Sequence, residues 1–170
     1  MNMIDSINKL LGKVIIFLSS TMFGVMVLVA VWQVVSRYIL NSPSTFSEEF
    51  LRYSLIWVTM IGGAYVFHLK KHIAIEMFVE RFSKGIQKRI RQLALLFLVL
   101  FSLIVMVYGG IQIVSLTMSQ QTVSLGIPMG YVYLSLPISG ALITWFTVVE
   151  LVTGKNGAKN ETTETDLSIH

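Results

Sequence analysis

Two long stretches of the chain carry no charged residue. They cover residues 14–35 and 93–114. A bilayer core about 30 Å thick is crossed by about 20 helical residues, each of which adds about 1.5 Å. Stretches over 46–67 and 131–152 have a similar length, and their charged residues lie close to their ends. The sequence therefore predicts an all-α integral membrane protein, with a domain over 14–152 that contains four transmembrane helices.

Charged residues are scarce in this chain of 170 residues. They make up 13% of it, and hydrophobic residues make up 54%, whereas a soluble domain has about 25% charged residues. So few charges cannot cover a globular surface, which excludes an ordinary soluble enzyme, a disordered protein and a nucleic-acid binder with a basic surface in water. The chain has no cysteine, so disulfides, cysteine-ligated metal centres and thiol catalysis are excluded as well.

The basic residues lie mostly on one predicted side of the membrane. Arg37 and Arg52 flank the first loop on the opposite side. The other eleven of the 13 basic residues precede the first helix, join the second to the third, or follow the fourth: Lys9, Lys13, Lys70, Lys71, Arg81, Lys84, Lys88, Arg89, Arg91, Lys155 and Lys159. Because cytoplasmic loops are enriched in Lys and Arg, both termini are predicted to be cytoplasmic. We interpret the net charge of +4 as a signal of topology.

Three segments on the cytoplasmic side flank the spans. Residues 1–13 place apolar side chains at helical spacing and predict a short amphipathic lead-in. Residues 73–91 combine an apolar stripe with charged positions, which predicts an interfacial helix or a hinge that folds onto the bundle. The basic side chains expected to contact phospholipid head groups are Lys70, Lys71, Lys84, Lys88, Arg89 and Arg91. The polar tail over 153–170 is predicted to be disordered.

The two loops on the opposite side differ in their charge. In the first, Thr45 and Glu48 fit an N-terminal capping box, so the second helix starts near Phe46, outside the hydrocarbon. Glu48 and Arg52 have the spacing of an i,i+4 ion pair. The second loop, over 119–130, has no charged residue. We expect it to lie against the bundle or against a partner protein.

Patches of small residues that include glycine occur in three of the predicted membrane helices. Membrane helices approach one another closely where small residues face the neighbouring backbone. The candidates for such packing are Gly62, Gly63, Gly109, Gly110 and Gly140. Each of them serves either packing inside the bundle or an interface with a partner.

Ionisable residues are nearly absent from the predicted membrane core. Arg52 and Glu150 lie near the ends of their helices, and the first and third spans have no charge. A self-sufficient ion-coupled carrier needs buried ionisable groups or broken helices that form a site, so the sequence argues against autonomous transport. His68 and His72 share a helix face, but no third metal ligand accompanies them. The sequence predicts no enzymatic activity, no cofactor and no metal site.

Several short motifs occur in a distinctive order along the chain. They are Ser36-Arg37-Tyr38, Asn41-Ser42-Pro43, Ser47-Glu48-Glu49, Arg52-Tyr53, Gly62-Gly63-Ala64, His72-Ile73-Ala74-Ile75-Glu76 and Ile127-Pro128. In this order they resemble the small membrane subunit of tripartite ATP-independent periplasmic (TRAP) transporters, up to about Val152. The chain departs from that pattern at Lys70-Lys71, where a glycine is frequent, and at Glu76, where aspartate is commoner.

The resemblance implies a non-catalytic subunit in the inner membrane of a bacterium. In that family a large multi-spanning subunit binds substrate and sodium, and a periplasmic binding protein delivers an organic acid. The partners implied are this large subunit, the binding protein and membrane phospholipids, with sodium on the large subunit and not on this chain. The substrate expected first is sialic acid, and a C4-dicarboxylate is expected next.

The resemblance and the outer charges together suggest a partner interface. Its candidate residues are Arg37, Glu48, Glu49 and Arg52, which either contact a partner or only pair with one another and cap helices. Two alternative functions stay open. One is a self-sufficient small exporter that acts as an oligomer, and the other is the membrane anchor subunit of a redox enzyme that uses His68 and His72.

Overall fold

The fold, taken from a computed structural model, is helical over the residues it describes, 3–69 and 84–167. In chain order the elements are α1 (Met3–Tyr38), α2 (Thr45–Leu69), α3 (Lys84–Phe101), a π-helical segment (Ser102–Gly109), α4 (Gly110–Thr117), α5 (Gly130–Tyr133) and α6 (Ser135–Leu167). These two ranges contain no strand beyond an isolated bridge between Gln121 and Pro128. The all-helical fold predicted from the sequence is confirmed.

Within the described residues, three helical stretches are long and apolar enough to cross a membrane. They are Ser6–Tyr38, Gly85–Thr117 and Gly130–Val152, and they correspond to the first, third and fourth predicted spans. α2 has 25 residues, which at about 1.5 Å each also reach across a bilayer. It is less apolar than the others because its first turns carry three charged residues and its middle contains Ser, Thr, Tyr and Gly. A fourth span therefore stays a prediction.

α1 is a single helix of 36 residues. The described part of the predicted amphipathic lead-in over 1–13 continues into the span without a break. A Cβ atom added to Gly12 would lie 2.7 Å from the ring of Tyr65, so this turn lies directly against α2. The Nε1 of Trp145 donates a hydrogen bond to Oδ1 of Asn8 at 3.0 Å. The first turns of α1 are thus attached to both α2 and α6.

The helices pack side by side in a row. α1 packs along α2, α2 packs along α6, and α6 packs along α3 and the π-helical segment. Within the described ranges α1 does not pack along α3, as it would in a closed four-helix bundle. Only 6% of the most apolar stretch of α1 is buried, against 39% of that of the last span. Most of the circumference of α1 is therefore an exposed apolar surface.

The core of the row consists largely of small residues. Ser102, Ser135 and Ser139 are completely buried or nearly so. Each of their hydroxyls donates to the carbonyl oxygen of the residue three positions earlier in the chain, so their burial leaves these donors paired. Among the residues that the structure describes, the buried apolar side chains are Ile15, Ala64, Leu95, Val132, Ile143 and Phe146. Close approach of backbones through small side chains is typical of membrane helices.

The backbones of α6 and the π-helical segment approach each other closely at Gly140. A Cβ atom on Gly140 would lie 2.6 Å from Cβ of Met106 and 3.2 Å from the carbonyl oxygen of Ser102. The hydroxyls of Ser102 and Thr144 share a hydrogen bond of 2.7 Å beside this crossing. A π-helical segment is locally wider than an α-helix, and here it packs against Gly140 of α6.

The last helix begins and ends differently from a simple span over 131–152. It is preceded by the single turn of α5, and Pro137 is its third residue, where the missing N–H costs no helical hydrogen bond. The helix then runs past position 152 to Leu167, whereas the sequence predicted a disordered tail from 153. The helix can continue this far because no proline after Pro137 interrupts it, and because each further helical residue adds one backbone hydrogen bond.

Candidate partner interface

The side chain of Glu49 binds the tip of the loop between α4 and α5. Its carboxylate accepts the backbone N–H of Val123 at 3.0 Å, of Ser124 at 2.9 Å and of Leu125 at 3.0 Å. Successive N–H groups that converge in a tight turn form an anion site, and here the anion is a side chain of the same chain. We call Glu49 and these three N–H groups the Glu49 clamp.

The loop itself is a short hairpin. The N–H of Met129 donates to the carbonyl of Gln120 at 2.8 Å, and the N–H of Thr122 donates to the carbonyl of Ile127 at 2.9 Å. The hydroxyl of the buried Thr122 accepts the N–H of Ile127 at 3.1 Å. Gly126 turns the chain with a positive φ of 64°, a conformation that glycine adopts without strain. The loop therefore has its own internal hydrogen bonds in addition to the Glu49 clamp.

The electrostatics of Glu49 favour its charged form. Burial by itself would raise the pKa of this carboxyl. Hydrogen bonds from the three loop N–H groups and from the Tyr53 hydroxyl favour the carboxylate, and their combined effect is larger. The pKa is therefore lowered from its ordinary 4.5. Glu49 lies in the first turns of α2, before the apolar part of that helix begins at Leu51. Because the pKa of Glu49 is lower in the folded state, ionised Glu49 stabilises the fold fully above pH 4.5. This stabilisation is lost as the pH falls through the folded-state pKa.

The other predicted interface residues behave differently from Glu49. Glu48 and Arg52 form the predicted i,i+4 ion pair, with Nη2 of Arg52 3.0 Å from Oε1 of Glu48, and both side chains are more than half exposed. Arg37 lies exposed near the end of α1, and no residue in the described ranges pairs with it. The four charges therefore do not form one connected cluster within the part of the chain that the structure describes.

The predicted N-terminal cap of α2 is wrong by one position. The helix begins at Thr45, and Ser44 supplies the cap. Oγ of Ser44 accepts the N–H of Ser47 at 3.3 Å and shares a hydrogen bond with the Ser47 hydroxyl at 2.8 Å. Glu48 is thereby free of the capping role and pairs with Arg52.

The opposite end of the row holds an ion pair between distant helices. Nη2 of Arg91 lies 2.8 Å from Oε1 of Glu150, joining α3 to α6. The sequence assigned Arg91 to lipid head groups and left Glu150 without a partner, because the two residues are 59 positions apart. Arg89 is exposed on the same turn of α3.

The remaining predicted head-group contacts lie largely beyond the described structure. Lys70 and Lys71 and most of the interfacial segment over 73–91 fall outside the described residues. Lys84 and Lys88 belong to α3, which starts at Lys84 and continues into the membrane span with no break. The part of 73–91 that the structure describes is therefore the beginning of a long helix and not a separate one.

We expect the ion pair between Arg91 and Glu150 to contribute more to stability than the one between Glu48 and Arg52. The Glu150 side chain is 19% exposed, whereas those of Glu48 and Arg52 are more than half exposed. Glu150→Ala should lower the free energy of unfolding by about 1 kcal/mol, and Glu48→Ala by less than about 0.5 kcal/mol. Thermal unfolding of the purified variants in one detergent compares them. The double variant Arg91→Glu/Glu150→Arg should recover part of the stability that Glu150→Ala loses. If this double variant is as unstable as Glu150→Ala, the result would contradict the pairing.

The structure separates the five predicted packing glycines into two groups. Gly110 and Gly140 face neighbouring atoms inside the row: a Cβ on Gly110 would lie 2.9 Å from Cδ of Pro137. In contrast, a Cβ atom added to Gly63 would have no neighbouring atom within 4 Å. On Gly62 it would meet only the hydroxyl of Ser19 at 3.8 Å, and on Gly109 only the carbonyl oxygen of Ile104 at 3.7 Å. The first group packs helices within the chain, and the second leaves room for other atoms.

Gly109, the last residue of the π-helical segment, and Gly110, the first residue of α4, provide a matched test of this difference. Gly110→Ala should destabilise the protein by about 1–3 kcal/mol, because the added methyl group overlaps the Pro137 ring of α6. Gly109→Ala should leave stability unchanged or raise it by up to about 1 kcal/mol, since alanine favours helix and its methyl group has space. The midpoint of thermal unfolding by circular dichroism measures both. Equal midpoints would show that Gly110 is not in contact with α6.

A known family matches most of this chain. The family model described as the DctQ component of tripartite ATP-independent periplasmic transporters matches residues 26–155, which is most of the chain and includes the Glu49 clamp and both ion pairs. The chain belongs to the DctQ family. The family resemblance found in the sequence motifs is confirmed.

Curated relatives agree with the family. The chain is 29% identical over 143 residues to a protein of Haemophilus influenzae whose name assigns it to the TRAP transporter small permeases, covering 84% of this chain and 85% of that protein. It is 23% identical over 154 residues to the sialic acid TRAP transporter small permease protein SiaQ of Vibrio cholerae, covering 87% and 88%. A second Haemophilus influenzae protein with a TRAP small permease name is 24% identical over 153 residues. All three names describe transport permeases and not enzymes.

Proposed function

We propose that this chain is the non-catalytic small subunit that braces the large transport subunit of a sodium-coupled TRAP importer. The observation that carries the proposal is the DctQ family match over residues 26–155. In this proposal the large subunit binds sodium and the substrate, and a periplasmic binding protein delivers that substrate. The chain itself holds no cofactor and performs no chemistry.

The proposal includes an orientation in the bacterial inner membrane. All four long helices cross the bilayer, α2 included, and both termini are cytoplasmic. The distribution of Lys and Arg supports this orientation, because eleven of the 13 precede the first predicted span, join the second to the third, or follow the fourth. The Glu49 clamp then lies on the periplasmic side. Exposed Arg89, with the neighbouring lysines, faces the head groups of the cytoplasmic leaflet.

The packing of the helices in a row supports a role as a brace. α1 exposes large apolar side chains such as Phe17, Leu28 and Val31 over most of its circumference. In a membrane such a surface faces either lipid or another protein. The open space at Gly63 and Gly24 lets the backbone of a partner helix approach closely. We therefore propose that the large subunit lies along one broad side of the row.

The substrate is proposed from one relative. The Vibrio cholerae protein is named as a sialic acid transporter subunit, which favours sialic acid, and a C4-dicarboxylate is the second candidate. Both substrates are organic anions that the binding protein and the large subunit would recognise, and neither needs a binding residue on this chain.

Uptake into proteoliposomes tests the proposal directly. Vesicles would contain the large subunit with or without this chain, with the binding protein outside and an inward sodium gradient. We expect uptake of radiolabelled sialic acid only when all three proteins and the gradient are present. Uptake of a C4-dicarboxylate instead would change the substrate and keep the function. Uptake that does not need this chain would contradict the bracing role.

The same experiment separates the alternatives. A self-sufficient exporter would move substrate in vesicles that contain this chain alone. A redox anchor would show a haem absorption band or bound metal in the purified chain. Either result would replace the proposed function.

A further inference from the structure

Helix packing explains only one of the two successive glycines at the junction between the π-helical segment and α4. Gly110 faces α6, because a Cβ atom added to it would lie 2.9 Å from Cδ of Pro137 and 3.4 Å from Cβ of Leu136. A Cβ atom added to Gly109 would meet only the carbonyl oxygen of Ile104 within 4 Å. Glycine stabilises a helix less than alanine does. No contact in the described ranges therefore accounts for the glycine at position 109.

The π-helical segment contains more residues per turn than the α-helices on either side of it. In a π turn the N–H group bonds to the carbonyl five residues earlier instead of four, so the turn holds about one residue more than an α turn. If the segment took up α geometry while α3 stayed in place, α4 would move by one residue past α6. Gly109 would then occupy the place of Gly110 opposite Pro137. The two glycines thus fit two registers of α4 on α6, whereas an alanine at either position fits only one.

The other close contacts of this helix allow the same movement. The surfaces that it meets on α6 and α5 are Gly140 and Gly130, which have no side chain. A Cβ atom on Gly130 would lie 3.0 Å from the carbonyl oxygen of Val114, so backbone passes over backbone here. The hydrogen bond between Ser102 and Thr144 lies at the start of the π-helical segment, next to α3, where the shift is smallest.

The Glu49 clamp opposes the movement at the far end of α4. It fixes the loop tip over 123–125 to α2, and the base of the hairpin is closed between Gln120 and Met129 at 2.8 Å. α4 enters this loop directly after Thr117. A shift by one residue would push α4 about 1.5 Å towards the loop and rotate it by about 100°. A loop that is held at its tip and its base resists both changes.

We infer that the π-helical segment and its two adjoining glycines form a register switch, in which α4 slides by one residue along α6 when the Glu49 clamp opens. Packed helices move between discrete arrangements and not continuously, and Gly109 and Gly110 define two such arrangements. The switch gives the loop between α4 and α5 two positions relative to α1 and α2. The inference goes beyond the bracing role and does not depend on it, because every contact it uses lies within this chain.

Distances between two spin labels test the switch in the purified full chain in lipid nanodiscs. The chain has no cysteine, so Leu28→Cys and Leu116→Cys place labels only on α1 and α4, at two strongly exposed positions. Pulsed electron paramagnetic resonance measures the distribution of their separation. We expect one main distance with Glu49 present. In Glu49→Gln we expect a second distance, with a population at least about fivefold larger than in the parent protein.

Substitutions at the two glycines should move the populations in opposite directions. In the Glu49→Gln background, Gly109→Ala should remove the second distance, because its methyl group meets Pro137 only in the shifted register. Gly110→Ala should make the second distance dominant, because its methyl group meets that ring only in the register described. Gly85→Ala is the control. It adds a methyl group to the same continuous helix with no neighbouring atom within 4 Å, and it should leave both populations unchanged.

Two results would overturn the register switch. One is the same single distance in the parent protein and in Glu49→Gln. The other is a second distance that persists in Glu49→Gln/Gly109→Ala, because release of the loop alone would then explain it. If the Gly110→Ala protein does not fold, the comparison of Gly109→Ala with Gly85→Ala still decides. Failure of the uptake experiment would replace the proposed function and leave these distances as they are.

Discussion

Gly140→Ala should destabilise the protein by about 2–3 kcal/mol. A Cβ atom at this position would overlap Cβ of Met106 at 2.6 Å and approach the Ser102 carbonyl oxygen at 3.2 Å. These are backbone and near-backbone atoms, which cannot rotate away as the end of a long side chain can. The two helices must separate, and the hydrogen bond between Ser102 and Thr144 lengthens with them. Thermal unfolding in detergent, followed by circular dichroism, measures the loss.

Gly63→Ala is the matched control for this prediction. Gly63 also lies inside a helix, but nothing is within 4 Å of its added Cβ atom. Its alanine variant should be as stable as wild type or more stable by up to about 1 kcal/mol, because glycine is a poor helix former. A Gly140→Ala protein that unfolds at the wild-type temperature would show that the crossing is looser than described.

Glu49→Gln should release the loop between α4 and α5. The amide of glutamine keeps the size of the side chain but removes the negative charge, and its single carbonyl oxygen replaces two carboxylate oxygens that accept three N–H groups. We expect the amides of residues 123–125 to exchange with solvent about tenfold faster or more. Hydrogen–deuterium exchange with mass spectrometry of loop peptides measures the change.

Two controls define what the Glu49 result means. Glu48→Gln removes the adjacent carboxylate, whose partner is Arg52 and not the loop, so exchange at 123–125 should stay at the wild-type rate. Acidification gives an independent comparison. In wild type the tip should stay protected at pH 4.5 and above and lose protection as the pH falls below it, because the bonds lower the pKa of Glu49. Equal exchange in wild type and Glu49→Gln, after correction for intrinsic rates, would contradict the clamp.

Local patterns in the sequence predicted those structural features that depend on residues close to one another along the chain. The charge-free stretches predicted helices that the structure contains, and the spacing of Glu48 and Arg52 predicted their ion pair. The start of α2 was missed by one residue because Ser44 and Thr45 both have a hydroxyl that can cap a helix. Neither pattern required knowledge of which helices are neighbours.

Contacts between distant residues could not be predicted in this way. Glu49 and the loop tip are separated by 74 to 76 positions, and the sequence suggested only that an uncharged loop would lie against the bundle or a partner. The glycines carried a signal for close packing, yet nothing in the sequence separates Gly110 from Gly109. That distinction depends on the rotation of each helix about its axis, which tertiary packing determines.

The arrangement of the helices in a row has a consequence for the surrounding bilayer. A closed bundle of four helices has the shortest lipid boundary for its cross-section, whereas a single row has a longer one for the same number of helices. More annular lipids therefore contact each copy of this chain when it is alone. In the proposed assembly, a large subunit along one broad side of the row would displace lipids from part of that boundary. Assembly should consequently depend on bilayer thickness and lipid composition, since the lipids released on association contribute to its free energy.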